Sequence, residues 1–257
     1  MDPGTIIGVI LAFVAIFVAM ILEGGSPASI FLIPALLLVF VGTIGAAMAG
    51  GLLKDTIGLV GSLKLAFLGK ATPSDQLVDS IVKLAEKARR EGLLALEDAM
   101  KDVEDPFLKK GLQLAIDGTD SEELRDILEA EVDAKRKADK GAAKIFADMG
   151  GYAPTIGIIG TVLGLIHVLE NLSQPDKLGH LIAGAFVATL WGVLSANVLW
   201  LPLGNKLKRL SELECAQMEL VIAGIINIQA GANPRLVAQK LRSLLPPGAA
   251  APEKKAA

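Results

Sequence analysis

The 257-residue chain is 52% hydrophobic and carries a formal net charge of −3, so it lacks the positive excess that a nucleic-acid partner attracts. Its single cysteine, Cys215, excludes an intrachain disulfide and a cysteine-based zinc site. The apolar residues gather toward the two ends and the charges between them, the pattern of membrane spans rather than of a soluble core.

A bilayer core takes about 20 helical residues to cross. Four apolar stretches are long enough: residues 5–22, 29–49, 153–169 and 178–201. The first lacks the basic start and the small-residue cleavage signal of a leader, and it reads as a retained span. The loop 23–28 has no Lys or Arg, and the loop 170–177 has one. Lys54, Lys64 and Lys70 follow span two, Lys140 and Lys144 precede span three, and Lys206, Lys208 and Arg209 follow span four. The positive-inside bias predicts that both termini and the long middle segment are cytoplasmic.

The middle segment reads as helices. Ser74 is placed to cap a helix over 75–90, where Leu77, Ile81, Leu84 and Ala88 recur at helical spacing. Gly92 breaks it, a short helix follows over 93–103, and a third covers 107–116 before Gly118. Asp120 or Ser121 starts a long helix with Glu122 and Glu123 in its favourable first turn. Nothing breaks it before Gly150 and Gly151, so it is predicted to run into span three. An amphipathic helix over 206–229 continues from span four, Gly231 and Pro234 end it, and a last helix covers 235–244. The Pro/Ala/Lys-rich stretch 246–257 is low in complexity and is expected to be disordered. The predicted fold class is an all-α membrane protein: four transmembrane helices with a large helical cytoplasmic domain between spans two and three. The segments are 1–49 (spans one and two), 50–149 (cytoplasmic helical domain), 150–203 (spans three and four), 204–245 (C-terminal cytoplasmic helices) and 246–257 (tail).

No Walker A loop, HExxH, nucleophile elbow or dinucleotide-binding glycine pattern is present, which argues against an enzyme. Spans three and four instead carry small and hydroxylated residues at helical spacing: Gly157, Thr161 and Gly164, then Ala185, Thr189, Gly192 and Ala196. Small faces let membrane helices pack closely. Thr155, Thr161 and Thr189 fit two roles equally: bonding a carbonyl one turn back, or lining a narrow polar path. Pro154 and Pro202 stand at span boundaries, as terminators or as hinges. No carboxylate lies near the middle of any span; Glu23, His167 and Glu170 lie toward the outer ends. A chain that moves ions alone needs an intramembrane ionisable group. If ions pass here, another chain supplies it.

Several stretches then carry a resemblance. YAPTIGIIGTVLGLIHVLENL (152–172) and LWGVLSANVLWLPLGNKLK (190–208) resemble the third and fourth spans of flagellar stator A subunits in the MotA/TolQ/ExbB proton channel family. REGLLALED (90–98), DPFLKKGLQLAIDGTDSEELRDILE (105–129) and NPRLVAQKLRSLLPP (233–247) fit as well, in order along nearly the whole chain. The resemblance implies a bacterial inner-membrane subunit of a complex that turns proton or sodium motive force into torque. It has no cofactor beyond the transported ion. The implied partners are a MotB-type, single-span, peptidoglycan-anchored subunit that brings the ion-binding aspartate, and the rotor switch protein FliG. Five copies of the A subunit are implied to surround two of the B subunit. The family's rotor-contacting charges match Arg89, with Arg90 adjacent, and Glu97. Its two functional prolines match Pro154 and Pro202, and its ion-path hydroxyls match Thr161 and Thr189. The alternative is an ExbB/TolQ-type subunit, but those relatives have three spans and place the large cytoplasmic segment after the first.

Overall fold

The computed structural model describes residues 3–69 and 74–245, all of them helical or in short connections. Two compact units form: Met1–Lys70 with Asp139–Leu210, and Ala71–Ala138 with Ser211–Ala257. The tail 246–257 lies outside the described residues.

In the first unit, α1 (Gly4–Leu22) and α2 (Ile33–Gly50) are the first two spans. None of α1 is buried, and Ile7, Ile10, Leu11 and Leu22 stand exposed. In water such a surface would aggregate; in a bilayer it meets lipid or neighbouring helices. The α1–α2 connection contains a short 3₁₀ turn, Pro27–Ile30, whose last carbonyl accepts a 2.6 Å bond from the Trp191 indole N–H. Phe31 and Phe40 pack on the same ring, at centroid distances of 5.6 and 6.0 Å. The Pro at its second position lets α2 begin sharply after this turn.

Two short helices that the sequence reading did not separate follow span two, α3 (Leu53–Ile57) and α4 (Leu59–Leu68). Ala66 of α4 is buried beside Phe146, Met149 and Trp200.

The second unit contains α5 (Ser74–Glu91), α6 (Leu96–Ala99), α7 (Pro106–Ile116) and α11 (Pro234–Ser243). Leu77, Val78, Ile81, Leu84 and Ala85 form the buried face of α5. They pack with Leu108 and Leu112 of α7, Val237 and Leu241 of α11, and Ile225. Cys215 is buried in the same core and acts as a small apolar residue. The expected helix over 93–103 is instead a 3₁₀ turn, one turn of α6 and a second 3₁₀ turn. The segment is short between its breakers, Gly92 at φ 86° and the extended Val103. It has no length to propagate a regular helix. Asp105 caps α7, accepting from the Phe107 and Leu108 N–H groups at 2.9 Å each.

Two long helices contribute to both units. Asp120 caps α8 (Ser121–Glu170), accepting from the Glu122 N–H at 2.8 Å. As expected, α8 runs without a break into span three. Span four begins as α9 (Pro175–Leu194), passes through a π-helical stretch, Ser195–Trp200, and continues as α10 (Leu201–Gln229). As expected, the helix over 206–229 continues from span four, within one helix, Pro175–Gln229.

Candidate functional site

Spans three and four meet backbone to backbone. A Cβ on Gly157 would fall 2.8 Å from the Ala188 carbonyl and 3.1 Å from the Thr189 Cα. A Cβ on Gly192 would fall 2.6 Å from the Ala153 carbonyl, and one on Gly164 would fall 2.6 Å from the Ala185 Cβ. Real Cβ atoms do not tolerate such distances to backbone, so only hydrogen fits at Gly157 and Gly192. The small-residue faces pack against each other, the arrangement by which membrane helices gain dispersion contacts without a hydrophobic drive.

This closeness brings Thr161 and Thr189 together. Their hydroxyls hydrogen-bond each other. Thr161 Oγ1 also lies 3.1 Å from the Ala185 carbonyl and 3.3 Å from that of Gly157, and Thr189 Oγ1 lies 3.3 Å from the Gly157 carbonyl. Two hydroxyl protons serve these contacts. With Thr161 donating to a carbonyl and Thr189 donating to Thr161, both protons are used and acceptor lone pairs remain. Both side chains are half-buried, so the pair packs in the seam without being fully enclosed. Thr155 does not join them: its exposed hydroxyl donates to the Tyr152 carbonyl at 2.8 Å.

Neither proline ends a helix. Pro154 sits inside α8 and Pro202 near the start of α10. This corrects the terminator reading. Ahead of Pro202 the chain adopts π geometry, and the Leu201 N–H bonds the Ala196 carbonyl five residues back. A proline ring clashes with the carbonyl four residues before it; the wider π turn gives that carbonyl room. Such π segments concentrate at functional sites. Asn197 within it donates to the Val193 carbonyl at 2.8 Å, and Ser195 Oγ lies 3.3 Å from the Gly192 carbonyl. The sequence reading missed this segment. Its signal was present: Ser195, Asn197 and Pro202 fall within about two turns at the end of an otherwise apolar span.

Arg89 and Arg90 close α5 and are exposed. They line one open pocket with Glu86, Asn233, Pro234 and Arg235. Glu97 is exposed on α6 and does not line that pocket. Beside it, a 2.9 Å bond from the Lys101 ammonium, reinforced by its charge, holds the Asp98 carboxyl below its ordinary pKa. The same contact raises Lys101. Outside the spans' middles, His167 and Glu170 pair at 3.3 Å at the end of α8.

Four apolar helices, two of them joined through a small-residue seam around a threonine pair, define a multi-pass helical membrane protein. Comparison with known proteins places it more narrowly. Residues 99–220 match the MotA/TolQ/ExbB proton channel family. The chain is 41% identical to motility protein A of Bacillus subtilis (strain 168), covering 96% of this chain and 92% of that protein. It is 32% identical to the chemotaxis protein PomA of Vibrio alginolyticus over 96% of this chain and 97% of that one. The structure of C. jejuni MotAB superposes with a TM-score of 0.92 at 33% identity, covering 96% of this chain and 97% of the other. The flagellar MotAB stator complex from Bacillus subtilis gives 0.88 at 41% identity, with 95% and 96% covered. The chain belongs to the MotA/TolQ/ExbB proton channel family, on its motility protein A side.

Proposed function

We propose that this chain is the A subunit of a flagellar motor stator, an ion-driven complex of the inner membrane in which it assembles with a MotB-type subunit. The end-to-end match to the C. jejuni MotAB structure carries this reading. It agrees with the spans themselves, which lack a central carboxylate and so need a partner's acid to bind the ion. The ExbB/TolQ-type alternative is disfavoured, because the large helical segment here follows the second span.

Within that function, Thr161 and Thr189 line the ion's route, offering oxygens beside the partner's acid. Thr155, set apart from them, lies at the cytoplasmic side of the same span. Pro154 and Pro202 couple ion occupancy to a change in helix shape, the π segment being the compliant element. Arg89, Arg90 and Glu97 meet the rotor switch protein, where exposed charges register a contact without tight affinity. Both termini and the charged helices face the cytoplasm, and the transported ion is a proton or sodium.

The test is complementation and flux. Membrane vesicles holding this chain alone take up no ions, and co-expression with its B subunit restores swimming to a strain lacking both. Full motility after deletion of this gene, in a strain without a second stator set, refutes the reading. Swimming speed across sodium concentrations, with a protonophore control, assigns the ion.

A further inference from the structure

Span one and the π segment of span four flank an open pocket of about 540 Å³ that lies wholly within the first unit. Gly4, Gly8 and Ala12 form its wall on α1. Spaced four residues apart, they share one helix face. Nothing lies within 4 Å of a Cβ added at Gly8, so this wall is hollow rather than packed. Val198 of the π segment and Pro202 of α10 line the opposite side. From Gly4 to Ala12 the helix advances about 12 Å. That is close to the depth of one leaflet's hydrocarbon, half of about 30 Å.

The lining changes character along the span axis. At the deep end stand Ala12 and Val198, and the polar Asn197 beside them turns its amide donor to the Val193 carbonyl of its own helix at 2.8 Å. At the other end, past the apolar run of span four, stand Asn205 and Lys206. Lys208 and Arg209 follow within one turn. Among the described residues no carboxylate lines this pocket, whereas Glu86 lines the one beside Arg89. A lysine ammonium carries three donors and binds phosphate as a point charge. Basic residues are common at span ends; here one stands at the mouth of an apolar slot about one leaflet deep. A soluble anion matches only the mouth, and a hydrocarbon only the slot. A phospholipid with net negative charge matches both.

We propose that this pocket seats one anionic phospholipid of the inner leaflet, with its phosphate at Lys206 and Asn205 and an acyl chain along Gly8, Ala12 and Val198. The leaflet rests on the orientation proposed above; the class of ligand does not. The seat places the lipid against Pro202 and the π segment.

The experiment uses the full complex with its B subunit, purified in detergent. Bound lipid is counted by native mass spectrometry during titration with phosphatidylglycerol or with phosphatidylcholine. The wild type is expected to bind phosphatidylglycerol about fivefold more tightly, the effect of one basic residue near an anionic headgroup. K206Q brings the two lipids level. G8L fills the slot and weakens both about tenfold, through lost burial of the chain. G61L adds the same bulk at an open position of α4 and matches the wild type. Equal binding of phosphatidylglycerol by G8L and the wild type refutes the seat. An unchanged lipid preference in K206Q refutes the phosphate contact and the proposal with it. If inorganic phosphate displaces the lipid, the mouth is a site for a soluble anion and the proposal fails. If G8L assembles poorly while the complex that forms holds as much lipid as the wild type, a second copy of the chain covers the slot and the proposal fails. Orientation is tested separately by cysteine labelling from outside the cell. An inverted result there overturns the choice of leaflet, while the titration still decides whether the pocket seats the lipid.

Discussion

The threonine pair and the glycines beside it make opposite demands on substitution. Thr189→Val removes one hydroxyl, but Thr161 can still donate to the Ala185 carbonyl 3.1 Å away. No buried donor is orphaned, so the loss of stability stays within about 1.5 kcal/mol. If the pair offers oxygens to the ion, swimming speed falls severalfold while the complex remains abundant. Unchanged swimming would reduce the pair to packing. Gly157→Ala acts differently. Its Cβ would press on the Ala188 carbonyl at 2.8 Å, and backbone on both helices has nowhere to move. The expected cost is about 1–3 kcal/mol, read as loss of the complex from the membrane. Gly141→Ala is the control, since nothing lies within 4 Å of its added methyl. It gains up to about 1 kcal/mol of helix propensity and leaves abundance unchanged or raised.

Helix boundaries here follow local chemistry until a proline enters a span. Asp105 caps α7 through two N–H groups, and Asp105→Ala is expected to cost about 1 kcal/mol in thermal unfolding. Pro154 and Pro202 stand at span boundaries and still do not stop their helices, because a broken helix would leave several backbone groups without an intrahelical partner, whereas a proline removes one N–H. The π turn over Ser195–Trp200 is the local adjustment that accommodates Pro202. Pro202→Ala permits a regular helix there. The complex should form at normal levels and lose most of its torque if this segment bends during the cycle. Normal torque at normal abundance would remove it from the coupling.

For the whole molecule, orientation in the bilayer is open to a direct measurement. Cys215 is buried and should stay silent toward thiol reagents. A membrane-impermeant reagent applied to intact cells is therefore expected to label Ser173→Cys, between spans three and four, and to leave Ser243→Cys of α11 unlabelled. The reverse result would invert the topology. In breached cells both positions should react.

What was legible in the sequence followed from local, one-dimensional signals. Apolar runs of sufficient length, basic residues beside them, caps such as Asp120 and stops such as Gly118 need only near neighbours to act. They determined the four spans, the run of α8 into span three, the absence of a central acid, and a family resemblance along nearly the whole chain. The tertiary structure alone decided that Thr161 and Thr189 touch while Thr155 stands apart, because helix rotation and backbone closeness depend on which glycines face which. It alone decided that Pro202 sits in a helix eased by a π turn, since a local widening leaves fewer backbone groups unpaired than a break in the helix. It also joined Arg235 to Arg89 and Arg90. Burial of Val237 and Leu241 against α5 draws the two segments together, and no local pattern in either one encodes the other.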